Sequence, residues 1–186
     1  METHEFEALL DGAQETDNLE FKGAMLWNCG QLVKDILAMA NVADGGLIVV
    51  GIEDQTLQRQ GLSDEQVASY DPEIMRDQVA PFADPHVIFT SEIVSDNEGR
   101  RFAVINVRPF EEIPVVCRRD SADVHAGTVY FRSRARRPRS ARVDNSTDMR
   151  EIILRAASLS ANALRRVGFE PIAIPAYDYD AELGDL

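Results

Sequence analysis

The pattern of apolar and polar residues in the first half of the chain predicts a strand, a helix and a second strand. The two types of residue alternate over 19–22, which predicts a strand with Glu20 and Lys22 on the face opposite its apolar residues. Apolar residues recur at helical spacing over about 28–43, and the apolar run 47–52 is typical of a strand buried on both faces. This order predicts that the two strands lie side by side.

The second half of the chain predicts further strands and a closing helix. Asp96 to Gly99 is a good hairpin turn between two strand-like runs. A helix from Asp148 to about Val167 would be capped by Thr147 or Asp148, with Glu151 completing a capping box. We expect one domain over 1–170 and an acidic tail over 171–186. The other predicted elements are short helices at 5–10 and 72–79 and strands at 86–94, 101–107, 114–118 and 128–132.

The charge of the chain is distributed unevenly. The net charge of −13 argues against general binding of nucleic acid, but residues 100–142 contain eleven arginines and only four acidic residues. This segment either binds phosphate groups or neutralises the acidic body, and the sequence leaves both interpretations open. Tyr130 and Phe131 precede its densest part and could stack on bases, but the favoured interpretation is that one of them packs into the core, because one of two consecutive strand residues must face inward. The candidate nucleic-acid contacts are Arg132, Arg134, Arg136, Arg137 and Arg139, with Arg142 nearby.

The remaining composition indicates an ordinary globular protein. Apolar residues make up 45% of the chain, and no apolar run approaches the ~18 residues that a membrane span needs. The acidic start is unlike a signal peptide, and Cys29 and Cys117 have no metal-binding spacing. We therefore expect a cytoplasmic protein with reduced thiols and no contact with membranes.

Three carboxylates and a lysine are the candidates for chemistry. Glu15, Glu20 and Asp54 lie around the two predicted adjacent strands, with Lys22 beside Glu20 on one face. Two carboxylates ~4 Å apart repel by about 4 kcal/mol at an effective dielectric constant of 20, and Mg²⁺ or Mn²⁺ would offset this. Such a cation can activate water against a phosphodiester, with Lys22 assisting. From spacing alone, however, solvated acids and a simple Glu20–Lys22 ion pair are the favoured interpretation.

A combination of motifs resembles the Schlafen-type AlbA-like family over about 7–155. The resemblance implies an α/β (α+β) fold, with a mixed β-sheet flanked by helices, and a connection with nucleic acids. The family includes metal-dependent RNases, and the resemblance implies that their three acidic residues match Glu15, Glu20 and Asp54. Bacterial members are often described as DNA-binding or ATP-binding regulators. The motifs are Glu15, Glu20-Phe21-Lys22, Asp35 to Asn41, Gly45-Gly46, Gly51 to Asp54, Gly61, Pro114 to Val116 and Gly127 to Ser133.

The resulting hypothesis is a metal-dependent endonuclease. It would act on RNA resembling transfer RNA, or on single-stranded DNA, with Glu15, Glu20 and Asp54 holding Mg²⁺ or Mn²⁺. Because animal Schlafen cores contain two related lobes, a chain with one lobe is expected to form a homodimer. The alternatives are a non-catalytic module that binds DNA or a nucleotide such as ATP, or an adaptor that needs a partner protein in defence.

Overall fold

The computed structural model describes residues 1–12, 16–133 and 139–169. Within these ranges the chain forms five α-helices and eight β-strands. The helices are α1 (Thr3–Leu10), α2 (Cys29–Ala40), α3 (Asp64–Ser69), α4 (Pro72–Val79) and α5 (Ser146–Arg166). The strands are β1 (Leu19–Lys22), β2 (Gly46–Val50), β3 (Ala83–Asp84), β4 (Phe89–Ser95), β5 (Arg101–Val107), β6 (Val116–Cys117), β7 (Tyr130–Arg132) and β8 (Ser140–Arg142).

A four-stranded mixed sheet forms the centre of the fold. Its order is β1-β2-β5-β4, with β1 parallel to β2 and the other neighbours antiparallel. Glu20 pairs with Ile48, and Lys22 pairs with Val50. The predicted adjacency of the first two strands is therefore confirmed, because the α2 crossover returns the chain in the same direction.

Each face of the sheet packs against a different helix. On one face, Phe21 of β1 packs with Phe6 of α1 and Phe102 of β5. On the other face, α2 packs over Ile48 and Ile105. Since neighbouring strand residues point to opposite faces, Glu20 and Lys22 lie on the face covered by α2. Their predicted orientation away from Phe21 is confirmed, but this face is also buried.

Two small antiparallel pairs complete the described structure. β3 pairs with β6, and β7 pairs with β8 in a hairpin close to α2. The short strands β3 and β8 and the helix α3 were not predicted, because each is only two to six residues long. Elements this short show too few repeats of the apolar pattern to be recognised.

The cap of the closing helix differs from the sequence-based prediction. Asn145 caps α5, and its side-chain oxygen accepts a hydrogen bond from the backbone N–H of Asp148. Asp148 lies inside the helix, where its carboxylate accepts a hydrogen bond from Ser133 Oγ at 2.8 Å. The predicted caps Thr147 and Asp148 were thus wrong by two or three residues, because Asp148 is used in a tertiary contact. None of the helices in the described ranges is both long and apolar enough to span a membrane.

Candidate functional site

Glu20 lies in a buried ion-pair network rather than in solvent. Only 7% of the residue is exposed. Lys22 Nζ lies 2.5 Å from Glu20 Oε1, and Arg132 Nη1 lies 2.5 Å from Glu20 Oε2. Each carboxylate oxygen therefore has its own cationic donor, which offsets much of the cost of removing the charge from water.

Lys22 extends this network to helix α2. Its ammonium lies 3.0 Å from Asp35 Oδ2, and the Asp35 side chain is only 5% exposed. Burial by itself lowers the pKa of Lys22, but the Asp35 and Glu20 carboxylates outweigh it and raise that pKa to about 12. Lys22 is thus a permanent cation held between two carboxylates.

Arg132 is fully buried, which changes its expected role. Its guanidinium Nη2 donates to the backbone oxygens of Thr16 at 2.9 Å and Leu19 at 3.3 Å, in addition to the ion pair with Glu20. A side chain with no exposed surface cannot also contact the backbone of a nucleic acid from solvent. The structure therefore makes Arg132 an internal link between β7 and β1, in place of the predicted nucleic-acid contact. We name Asp35, Lys22, Glu20 and Arg132 the buried ion-pair network.

Asp54 is exposed on the turn after β2. The backbone N–H groups of Gly51 and Ile52 both donate to Lys22 O, which fixes where the chain leaves the sheet. Glu20 pairs with Ile48, six residues before Asp54. Glu15 lies outside the described residues. Within the ranges that are described, no group of three histidines, cysteines or acids could hold a metal ion, so the three-carboxylate site stays a prediction.

The described part of the arginine segment is divided between core and surface. Arg139 and Arg142 are exposed, whereas Arg134, Arg136 and Arg137 lie outside the described residues. Tyr130 and Phe131 are 4% and 3% exposed, so not one of them, as predicted, but both pack into the core. The hairpin β7–β8 therefore has a buried aromatic strand and an exposed basic strand.

The Glu20–Arg132 ion pair joins the two regions that the sequence analysis singled out. The residues are separated by 112 positions, yet the carboxylate of β1 contacts Arg132, where the densest part of the arginine segment begins. Arg132 Nη1 also lies 3.4 Å from Ser140 Oγ on β8. Arg132 therefore connects strand β1, which contains Glu20 and Lys22, to the hairpin that contains the exposed arginines.

Sequence reasoning assigned no role to Asp35 or Asn41, although both lie in the motif string. Asn41 is 1% exposed, and its amide donates to the backbone oxygens of Val115 and Tyr130, each at 2.9 Å. Its Oδ1 accepts a hydrogen bond from the backbone N–H of Val115 at 2.8 Å. Asn41 thus ties the end of α2 to the chain entering β6 and β7. The sequence pattern could have indicated both roles. Asp35 and Asn41 are polar residues within an apolar helical stripe, and a polar residue buried in such a stripe needs a hydrogen-bonding or charged partner.

The mixed sheet, the crossover helix and the attached hairpin define an α+β domain of the AlbA-like type. The family model described as Schlafen, AlbA_2 matches residues 15–139, and the chain belongs to this family. This membership indicates a function connected with nucleic acids. No curated protein matches the chain.

Two solved structures are similar to this domain. The DIP2311 protein from Corynebacterium diphtheriae has 20% sequence identity and a TM-score of 0.50, with 91% of this chain covered. The chain spans only 29% of the length of DIP2311. The N-terminal domain of a RecG-related protein from Nitrosomonas europaea has 17% identity and a TM-score of 0.48, and the match covers 68% of this chain and 86% of that domain. At such identities DIP2311 shows a shared fold alone.

Proposed function

We propose that this protein binds nucleic acid, RNA in preference to DNA, through the hairpin β7–β8 and the arginine segment that it contains. The observation that carries the proposal is the buried ion pair between Glu20 and Arg132. It anchors the hairpin on the sheet, so the exposed Arg139 and Arg142 are held on a rigid base. Family membership supports the same class of ligand.

The charge distribution favours a local contact over a general one. The whole chain has a net charge of −13, so phosphate groups are repelled from most of its surface. Arg139 and Arg142 follow Arg134, Arg136 and Arg137 within nine residues of sequence. Guanidinium groups bind phosphate with paired hydrogen bonds. Binding through this segment would release counterions and depend steeply on salt.

The test compares two double variants. In R139S/R142S, both exposed hairpin arginines are removed, whereas R76S/R108S removes two exposed arginines elsewhere. Affinity for a transfer RNA and for a single-stranded DNA is measured by fluorescence anisotropy between about 50 and 200 mM salt. If the hairpin contacts two phosphates, the negative slope of the logarithm of the association constant against log salt becomes shallower by about 1.4 to 1.8 in R139S/R142S only. Equal slopes in both variants would contradict the proposal.

We further propose that the protein is a metal-dependent endonuclease, with Glu15, Glu20 and Asp54 as ligands of Mg²⁺ or Mn²⁺ and Lys22 as an assisting cation. What supports this is the match of these positions to the family's motifs, together with the placement of the β1 acid beside the arginine hairpin. The described residues alone do not fit a metal ion, because both oxygens of Glu20 are already paired with cations. The proposal therefore depends on Glu15, and we derive no catalytic step from it.

The endonuclease proposal is tested by incubating the protein with transfer RNA in the presence of Mn²⁺ or a chelator. We expect cleavage that requires the metal and disappears in E15Q and in D54N, while RNA binding is retained. The matched control is D77N, which changes an exposed acid on α4. Binding without cleavage in the wild-type protein would instead favour the alternative, a non-catalytic module for nucleic acid or a nucleotide such as ATP. We also propose that the protein acts as a homodimer.

A further inference from the structure

A cavity of about 540 Å³ lies between helix α5 and the loop that follows β5. Residues 108–112 form its loop side, and five residues of α5 form its helix side. These five are three or four positions apart along the helix, so they lie on one face: Arg155, Leu159, Asn162, Ala163 and Arg166. The volume is within the range of about 300–1,000 Å³ that is typical of sites for small molecules. We name it the α5 cavity.

The loop side of the α5 cavity is fixed to the core and positions Arg155. Phe110 is 5% exposed, and its backbone N–H donates to Ala40 O at 2.8 Å. The guanidinium carbon of Arg155 lies 5.0 Å from the centroid of the Phe110 ring, and its Nη2 donates to Phe110 O at 3.3 Å. The guanidinium is therefore held in place by the protein itself, which lowers the cost of ordering it around a ligand.

The charge of Arg155 has no counterion in the described parts of the chain. No acidic side chain there forms an ion pair with it, and its buried Nε has no hydrogen-bond partner. The residue is half-buried. A charge removed from water is ordinarily paired, because burial without compensation is costly. An anion in the cavity would supply the missing partner.

The other charged residues described around the cavity leave it positive. Arg108 lies 3.4 Å from Glu111, so the charges of these two side chains largely cancel each other. Arg166 and Glu112 are both exposed. With Arg155, two arginines thus face one uncompensated glutamate. The cavity is a site of local positive charge on a chain whose net charge is −13.

We propose that the α5 cavity binds the phosphate group of a small organic phosphate, independently of nucleic-acid binding by the hairpin β7–β8. Guanidinium groups bind phosphate with paired hydrogen bonds. Asn162 Oδ1 accepts a hydrogen bond from Arg165 at 3.3 Å, so its NH₂ group is left as a further donor. Leu159 and Ala163 offer apolar contacts to the organic part of the ligand. A small ligand fits better than a nucleic-acid chain, because the acidic surface of the protein repels phosphates that lie outside the cavity.

The first experiment is isothermal titration calorimetry with phenyl phosphate in a phosphate-free buffer, with phenol as the matched compound without phosphate. We expect one saturable site with a Kd of about 1 mM for phenyl phosphate and no binding of phenol. Affinity should fall about tenfold in R155K, which loses the paired hydrogen bonds, and about threefold in R166Q, which loses an exposed charge. The control is R150Q, which removes an exposed arginine of α5 that does not line the cavity. Absence of binding in the wild-type protein, or equal weakening in R166Q and R150Q, would overturn the proposal.

A second variant tests the sign of the electrostatic effect. E112Q removes the exposed acidic group at the cavity, so it should bind phenyl phosphate about threefold more tightly than the wild-type protein. Unchanged or weaker binding would count against a phosphate at this position.

The last measurement distinguishes the two sources of a phosphate group. Affinity for transfer RNA, measured by fluorescence anisotropy, should be the same in R155K and R166Q as in the wild-type protein. A parallel loss of transfer RNA binding in both variants would assign the cavity to the nucleic acid and overturn a separate site for a small molecule.

Discussion

The replacement of Glu20 by glutamine tests whether this carboxylate is part of the structure. Glutamine keeps the shape of the side chain but removes the charge that balances Arg132, whose side chain has no exposed surface. Removing one partner of a buried ion pair typically costs about 3–5 kcal/mol, because the other charge stays buried without compensation. Lys22 is partly exposed and also contacts Asp35, so it adds less to this loss. We therefore expect E20Q to reduce the free energy of unfolding by about 3 kcal/mol.

The assay is urea denaturation followed by circular dichroism. E20Q and R132M are then combined in a double-mutant cycle. The double variant E20Q/R132M should lose less stability than the sum of the two single losses. The control is D64N, which breaks an ion pair between Arg101 and an aspartate whose side chain is 93% exposed, and it should change stability little. A loss below about 1 kcal/mol in E20Q would refute the reasoning. It would show that Glu20 is not needed by the fold and would favour its role as a metal ligand.

Three further predictions concern other contacts of the domain. The raised pKa of Lys22 implies a contribution to stability that is complete below its ordinary pKa of 10.5 and is lost as the pH rises towards 12; unfolding by urea between pH 9 and 11.5 should show a decline that K22M lacks. Replacing Gly45, which has φ +68°, by alanine would place a Cβ 2.2 Å from Val107 O, so G45A should lower Tm by several degrees or more, and an unchanged Tm would contradict the described turn. Replacing Asn41 by alanine leaves buried backbone groups at β6 and β7 unpaired, so N41A should cost about 2–4 kcal/mol in the same assay, whereas N28A, which removes an exposed helix cap, should cost about 1 kcal/mol.

Much of the architecture could be predicted because it is encoded in local periodicity. The predicted bounds of β1, α4 and β5 agree with the structure, since alternation marks β1, helical spacing marks α4 and a run of four apolar residues marks β5. The turn at Asp96 to Gly99 is confirmed for a similar reason. The hydrogen bonds that Asp96 makes to Glu98, Gly99 and Arg100 lie within five residues, and Gly99 supplies the positive φ that the turn needs.

The environment of the candidate site depended on tertiary structure. Glu20 and Lys22 read as a local pair at the surface, but α2 covers their face of the sheet and supplies Asp35 as a third member. Arg132 looked like its exposed neighbours Arg139 and Arg142, because all three lie in one basic stretch. Whether an arginine is a surface contact or an internal ion pair is decided by what packs against it. For Arg132 that partner lies 112 residues away in the sequence.

The sequence by itself determined the family, the order of the main elements and the side of β1 on which the charged residues lie, because these properties depend on residue type and short-range spacing. Only the tertiary structure decided that the charged side of β1 is buried, that one arginine neutralises its glutamate, and that α5 buries Ile152 while Ile153 stays exposed. Those features depend on contacts between segments far apart in the chain, and no local pattern specifies which distant charge will enter the low-dielectric interior as a partner.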